Sequence, residues 1–179
     1  MTEDAKEKRL ARMLSSCTAD LLCELGAKPQ SIDEVRRPRT SGEHIAAFSG
    51  FGGNGFRGSY TLLAPSPLLS RLHPLPPTVD PRDLTDWACE LVNQSVGRFR
   101  NRLLSYGVDM ILSVPQSVLA EELRLSSSLQ PARSPSVFVI DGMVLEGWLE
   151  LELNPVFRLP ESPLNQEELA LKEGSLVLF

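Results

Sequence analysis

Residues 80–107 read DPRDLTDWACELVNQSVGRFRNRLLSYG and predict one long amphipathic helix, ending at about Tyr106. Asp80 is a favourable N-cap, Pro81 suits the first helical position, and Gly107 is a typical stop signal. At roughly 100° per residue, apolar and small side chains gather on one side of this helix, which we expect to face a core. They are Leu84, Ala88, Leu91, Val92, Ser95, Val96, Phe99 and Leu103.

The opposite side of the helix is polar. It carries Asp83, Asp86, Glu90, Asn93, Gln94, Gly97 and Asn101. Glu90 and Asn93 are three residues apart, which places a carboxylate beside an amide. Such a pair is a weak signal on its own, because Glu-x-x-Asn occurs often by chance and a polar helix face is usually only solvated surface. Gly97 costs about 1 kcal/mol relative to alanine inside a helix, so it is either an accidental surface glycine or a place where another protein approaches closely.

The segments before this helix predict a mixed fold. Residues 6–25 have apolar side chains at helical spacing and are followed by Gly26, which indicates a first helix. Residues 44–49 and 59–63 predict two strands joined by a flexible, glycine-rich hairpin loop. The proline-rich residues 64–79 predict a connector over the surface with at most one short helical turn, around residues 68–72.

The segments after the helix predict further strands. In residues 108–114 every second side chain is apolar. This spacing predicts a strand with Val108, Met110, Leu112 and Val114 on one half-buried face. Asp141 and Gly142 form the turn signal of a β-hairpin. The predicted elements in order are a strand at 108–114, a crossing segment at 115–125, a loop at 126–136, strands at 137–140 and 145–153, and a short strand at 174–179.

Composition restricts the classes of function. The chain has 179 residues, 42% of them hydrophobic, and a net charge of −5, which fits a single domain spanning 1–179 and argues against nonspecific nucleic-acid binding. No apolar run approaches the roughly 20 residues that cross a bilayer, and the charged N-terminus does not resemble a signal peptide, so we expect a cytoplasmic protein. The three cysteines and two histidines lack metal-ligand spacing, so we expect no bound metal.

Residues 90–98, ELVNQSVGR, resemble the active-site helix of CheX-like chemotaxis phosphatases, in the family that includes CheC, CheX and FliY. That family shows Glu-x-x-Asn, then glycine and a basic residue, and then a leucine, a glycine and a strand ending before proline. The matching positions here are Glu90, Asn93, Gly97, Arg98, Leu103, Gly107, Pro115 and Val118. The first helix, the early strand pair and the closing hairpin also resemble the family, so the likeness covers roughly residues 8–158 and leaves a C-terminal extension, 159–179.

The resemblance implies an α+β fold in which a largely antiparallel sheet carries two long helices. It implies a phosphatase that acts on the phospho-aspartate of a CheY-type receiver domain, with Asn93 positioning the attacking water and Glu90 docking on the receiver's lysine. Partner contacts are expected from Asp86, Gln94, Gly97 and Arg98. This chain is expected to hold no cofactor, since Mg²⁺ would lie in the receiver, and one active site per chain is expected.

The sequence departs from the family in two ways that leave other functions open. Val92 stands where the family often has glycine, and the helix that usually precedes the active-site helix is reduced to a proline-rich segment. A non-catalytic receiver-binding adaptor is therefore an alternative to the enzyme, and a flagellar-switch-like structural component is a third possibility. A homodimer through sheet edges is expected from the resemblance, although CheC-type relatives can be monomers.

Overall fold

The computed structural model describes residues 2–31, 42–74, 80–121 and 135–164. The helices in these residues are α1 (Glu3–Glu24), α2 (Ser66–Leu72) and α3 (Pro81–Leu104). The strands are β1 (Gln30–Ser31), β2 (His44–Gly53), β3 (Phe56–Pro65), β4 (Met110–Leu112), β5 (Gln116–Ala120), β6 (Ser136–Ile140) and β7 (Met143–Leu153). Both long helices therefore form close to their predicted bounds, one in each half of the chain.

The described strands form one sheet in the order β1-β6-β7-β3-β2-β4, and every pair is antiparallel. β5 also pairs with β2, so β4 and β5 follow one another along the same side of β2. They form one broken edge strand, in which Leu112 lies opposite Phe51 and Gln116 lies opposite Phe48. The predicted α+β fold with a largely antiparallel sheet is confirmed.

Helices α1 and α3 bury their apolar stripes in a common core with the sheet. Every residue predicted for the core face of α3 is buried. The Phe99 ring of α3 meets the Phe51 ring of β2 edge-on, with 6.0 Å between the ring centroids. In α1, the hydroxyl of Thr18 lies 2.9 Å from the buried hydroxyl of Tyr60 on β3, and burial raises the pKa of this phenol far above its usual range. The sheet therefore holds both long helices in fixed positions.

The glycine-rich segment predicted as a flexible loop is mostly strand. β2 runs on to Gly53 and β3 begins at Phe56, so the turn between them is only two residues long. The physical reason is close packing: a Cβ at Gly53 would overlap the carbonyl oxygen of Asp109, and one at Gly58 would overlap that of Glu150. These glycines therefore allow neighbouring backbones to approach closely.

The proline-rich segment is part of the core and not a surface connector, as far as it is described. Ser66–Leu72 forms α2, with Pro67 in its first turn, where proline is tolerated. Leu68, Leu69 and Leu72 are buried against the rest of the core. The short helix before α3 is therefore present. Residues 75–79 lie outside the described residues.

The segment after α3 also differs from its prediction. The strand predicted at 108–114 is only Met110–Leu112, and the crossing segment predicted at 115–125 contains strand β5. Val114, predicted on a buried face, is 83% exposed, because the pairing with β2 is interrupted there. The loop predicted at 126–136 lies outside the described residues except for its last two, and so does the strand predicted at 174–179.

The predicted closing hairpin is confirmed. The whole of β6 pairs with the first part of β7, from Ser136 opposite Gly147 to Ile140 opposite Met143, and Asp141 and Gly142 form the turn with φ angles of 50° and 79°. Two central residues with positive φ are typical of a tight turn whose twist matches the strands.

Residues 154–164 follow β7 and form a closing segment over one end of the helices. The Phe157 side chain is buried, and its carbonyl oxygen accepts a hydrogen bond from Lys6 Nζ of α1 at 2.8 Å. Arg9 Nη1 donates to the Pro160 carbonyl oxygen at 2.6 Å. The first turns of α1 are thereby fixed by the last described part of the chain. None of the described helices is both long and apolar enough to cross a bilayer.

Candidate functional site

Helix α3 presents Glu90 and Asn93 side by side on its solvent face. Asp80 caps the helix, with its Oδ1 accepting from the Arg82 amide at 2.9 Å, and eight core residues fix the rotation of the helix on the sheet. Both Glu90 and Asn93 are exposed, as predicted. Val92, the residue between them that departs from the family pattern, is fully buried, so its side chain does not obstruct the polar face.

The Glu90 carboxylate has a partner within its own helix. Gln94 Nε2 donates to Glu90 Oε1 at 2.7 Å, one turn along the helix. The side chain of Asn93 makes no hydrogen bond within the part of the chain that the structure describes, and Asp86 likewise has no partner there. The spacing of Glu90 and Gln94 in the sequence indicates this pairing, although the sequence prediction assigned Gln94 only to a partner.

Gly97 lies on the same face, beyond Asn93. A Cβ at this position would meet nothing within 4 Å, so packing inside the chain does not require glycine. The helix surface here is flat and accessible, which is what the close-approach hypothesis requires. An accidental surface glycine would have the same geometry.

Arg98 at the edge of this face is engaged within the chain. Its guanidinium forms a two-pronged ion pair with the Glu24 carboxylate at the end of α1, with 2.8 Å between Nη1 and Oε1. The hydrogen bond from Arg98 lowers the pKa of Glu24 below its ordinary value, and the same bond raises the pKa of Arg98. No sequence pattern indicates this contact, because it joins residues 74 positions apart. The predicted partner contact of Arg98 stays a prediction.

Two further arginines of α3 also point to acidic groups at its flanks. Arg100 lies 3.3 Å from Asp109, before β4, and Arg102 lies 3.6 Å from Asp20 of α1. The solvent face between these flanks carries carboxylates and amides, and no cation contacts Glu90 within the described part of the chain.

Other chemistries find little support in the described residues. No group of three or more His, Cys, Asp or Glu residues there is placed to hold a metal ion. Ser113 Oγ accepts a hydrogen bond from the Gly50 amide at 2.8 Å and so fills the break between β4 and β5. The Cys17 thiol is buried in the core, which raises its pKa.

A groove of about 1370 Å³ lies on the sheet and not at Glu90 and Asn93. It is lined by β2, β3, β4 and β7, and none of its lining residues belongs to α3. Small molecules usually bind in concave sites, whereas the α3 face is a convex helix surface. We therefore interpret the α3 face as a surface for a macromolecular partner.

No protein-family model and no curated protein sequence matches this chain. Several solved structures are similar to this chain. Chemotaxis protein CheX from Vibrio vulnificus is 17% identical, with a TM-score of 0.64 over 78% of this chain and 93% of that one. A CheC-like superfamily protein from Shewanella sp. PV-4 is 15% identical, with a TM-score of 0.65 over 85% of this chain and 99% of that one.

A third similar structure is the complex of CheX with CheY, beryllium fluoride and Mg²⁺ from Borrelia burgdorferi. It is 14% identical, with a TM-score of 0.54 over 79% of this chain and 96% of that one. The CheX/CheC-like fold expected from the sequence is therefore confirmed.

Proposed function

We propose that this chain hydrolyses the aspartyl phosphate of a CheY-type receiver domain, in chemotaxis or related two-component signalling. The observation that carries the proposal is the exposed Glu90–Asn93 pair on α3, in a fold shared with CheX. The similar CheX structure is in complex with CheY, which supports a receiver as the partner here. A partner of this kind implies that the chain acts in the cytoplasm.

The reaction requires little chemistry from this chain. An acyl phosphate is already reactive, so catalysis depends on holding a water in line with the bond that breaks. The water oxygen attacks phosphorus, the bond from phosphorus to the aspartate oxygen breaks, and carboxylate and inorganic phosphate are released, with the water's proton passing to phosphate or solvent. We assign Asn93 to this water, because its amide oxygen can accept from water while its NH₂ group donates.

We assign Glu90 to docking. Its exposed carboxylate can pair with the lysine beside the receiver's phospho-aspartate, and a charge pair of this kind fixes the register of two docked surfaces. The Mg²⁺ of the reaction would be held by the receiver and not by this chain. Asp86, Gly97 and Arg98 would lie at the border of the same contact.

The test is phosphate release from receivers of the same organism, each phosphorylated with a small phosphodonor, with and without this protein. We expect faster loss of phosphate from at least one receiver. Binding without any acceleration would identify the non-catalytic adaptor instead. Neither binding nor acceleration with any receiver would show the proposal to be wrong.

We also propose that the chain forms a homodimer through the edge formed by β4 and β5. Residues 111–120 contain no charged side chain, whereas exposed edge strands usually carry charges that prevent pairing. Ile111 is 81% exposed and Val114 is 83% exposed along this edge. A second copy would pair the backbone groups of β4 and β5 that have no strand partner among the described residues, and would cover these side chains.

A further inference from the structure

The contact between Gln94 and Glu90 restricts the position of the carboxylate. Gln94 Nε2 lies 2.7 Å from Glu90 Oε1, across one turn of α3. An isolated glutamate on a helix surface samples several rotamers, and ordering it on binding costs free energy. A hydrogen bond that already exists in the free chain removes part of this cost.

The contact also leaves half of the carboxylate available. Glu90 Oε1 accepts from Gln94, whereas Glu90 Oε2 makes no hydrogen bond or ion pair within the described residues. The neighbouring Asn93 amide likewise keeps all its hydrogen-bonding groups free within those residues. The helix therefore presents one carboxylate oxygen and one amide together.

The charge of Glu90 is preserved by the same arrangement. A lysine or arginine four residues after a glutamate forms an ion pair with it on a helix. Position 94 is instead a neutral amide, and Arg98, one turn further, is engaged by Glu24. Arg100 and Arg102 are engaged by Asp109 and Asp20. The Glu90 carboxylate is thus held by a neutral donor, while Arg98, Arg100 and Arg102 lie against other acids.

From this geometry we infer that Gln94 is a positioning residue, which orients Glu90 without neutralising it, so that Glu90 Oε2 receives the cation of the partner. The inference rests on the proposed function and gives Gln94 a specific role in the same candidate site. It assigns Gln94 a role that acts through Glu90, where the sequence prediction assigned it a direct partner contact.

The experiment compares four variants with the wild-type chain. Gln94→Met keeps side-chain length and helix propensity but removes the donor. Gln94→Lys replaces the neutral donor with a cation. Asn101→Met is the matched control, because Asn101 is exposed on the same face and its side chain has no contact with Glu90. Glu90→Ala provides the background for a double-mutant cycle with Gln94→Met.

The probe is the receiver that the wild-type protein engages. Affinity is measured with the receiver bound to beryllium fluoride and Mg²⁺, and turnover is measured with the phosphorylated receiver. We expect Gln94→Met to raise Kd and KM by about three- to tenfold with kcat unchanged, since the net contribution of a typical intramolecular hydrogen bond corresponds to a change of this size. We expect Gln94→Lys to weaken binding further and to reduce its salt dependence. Asn101→Met should match wild type, and Gln94→Met should have no further effect on Kd in the Glu90→Ala background.

A second measurement needs no partner. In the free protein, Glu90→Ala should shift the side-chain NH₂ resonances of Gln94 in an NMR spectrum and leave those of Asn101 in place. Unchanged Gln94 resonances would overturn the inference, and so would equal Kd values for wild type and Gln94→Met. A loss of affinity that persists in the Glu90→Ala background would mean that Gln94 contacts the partner directly, which also overturns it. A wild-type chain that engages no receiver would overturn the proposed function, and this role with it.

Discussion

Asn93 is exposed on α3 and Gly97 lies half-buried one turn further along the same face, and neither is required by the packing of its own chain. Asn93 makes no hydrogen bond within the described residues, and a side chain at position 97 would meet open space. Substitutions at such positions usually change the free energy of unfolding by less than about 0.5 kcal/mol, apart from helix propensity. A loss of function at either position would therefore report on the partner and not on folding.

Asn93→Ala should abolish most of the phosphatase activity while the chain remains folded. The amide that holds the water is lost, and positioning catalysis of this kind is sensitive on the order of 100-fold to misplaced reactants. The measurements are the rate of phosphate release and the melting temperature, with Asn101→Ala as the control on the same face. Full activity in a folded Asn93→Ala variant would show that Asn93 does not position the water.

Gly97→Leu should stabilise the helix and still impair function. Leucine is favoured over glycine inside a helix by up to about 1 kcal/mol, and the space around position 97 is open. A large side chain there would hold the receiver away from Asn93, so binding or turnover should fall. Gly97→Ala serves as the control, since it gains helix propensity with a much smaller side chain. A Gly97→Leu variant with a raised melting temperature and full activity would identify an accidental surface glycine.

At the scale of secondary-structure elements, α1 and α3 are joined at their polar borders by ion pairs. Glu24 and Asp20 of α1 meet Arg98 and Arg102 of α3, and both pairs are partly exposed. Exposed ion pairs contribute little to stability, so the common core holds the helices together and the pairs set their detailed alignment. This alignment matters because Arg98 follows directly after Gly97 on the proposed docking face.

The Glu24–Arg98 pair predicts a dependence of stability on pH. Arg98 lowers the pKa of Glu24 in the folded chain, so the pair stabilises the fold above the unfolded pKa, about 4.3, and this contribution is lost as pH falls through the folded pKa. Glu24→Gln should therefore unfold at lower urea concentration than wild type at pH 7, and the difference should vanish in acid. A difference that does not change with pH would mean that the charge of Glu24 is not involved.

Glu152→Gln is the matched control for that experiment. Arg57 lowers the pKa of Glu152 in the same way, on the sheet and away from α1. For both variants the difference in stability from wild type should vanish in the same acidic range, but only Glu24→Gln should speed hydrogen exchange at the end of α1.

The broken edge of β4 and β5 predicts the oligomeric state. Ile111→Lys should convert a dimer to a monomer, because a lysine on an edge strand opposes pairing with a second copy. Val156→Lys is the control, since Val156 is 64% exposed but lies outside the sheet. Sedimentation equilibrium at micromolar concentration gives the mass of each variant. A wild-type monomer under these conditions would contradict the proposed dimer.

At the scale of the whole molecule, the sequence predicted the elements whose signals are local. The rotation of α3 follows from its regular apolar spacing, and the β6–β7 turn follows from Asp141 and Gly142. The exposure of Glu90 and Asn93 follows from the same spacing. Each of these features is determined by residues close together in the chain. The spacing of apolar residues and the identity of the turn residues are therefore sufficient to predict them.

The features that the sequence did not predict depend on distant contacts. The glycines at positions 53 and 58 indicated a loop, but they lie in strands because Asp109 and Glu150 approach them closely. Gln116–Ala120 shows no clear alternation of apolar and polar residues. It forms a strand because one side of β2 is available to pair with it. Whether Glu90 and Asn93 catalyse a reaction stays a prediction, since neither residue is required by the fold.

The closing segment has a consequence for the order of events on the ribosome. Lys6 and the Phe157 carbonyl that it contacts are 151 residues apart, so the first helix is made long before its last partner exists. At about 5–20 residues per second, the interval is on the order of ten seconds. During that time the apolar stripe of α1 has no complete surface to cover it, because β7 and the closing segment are still unsynthesised. The described contacts of α1 are therefore complete only when residues 154–164 emerge, and in a nascent chain halted before them Lys6 and Arg9 lack these partners.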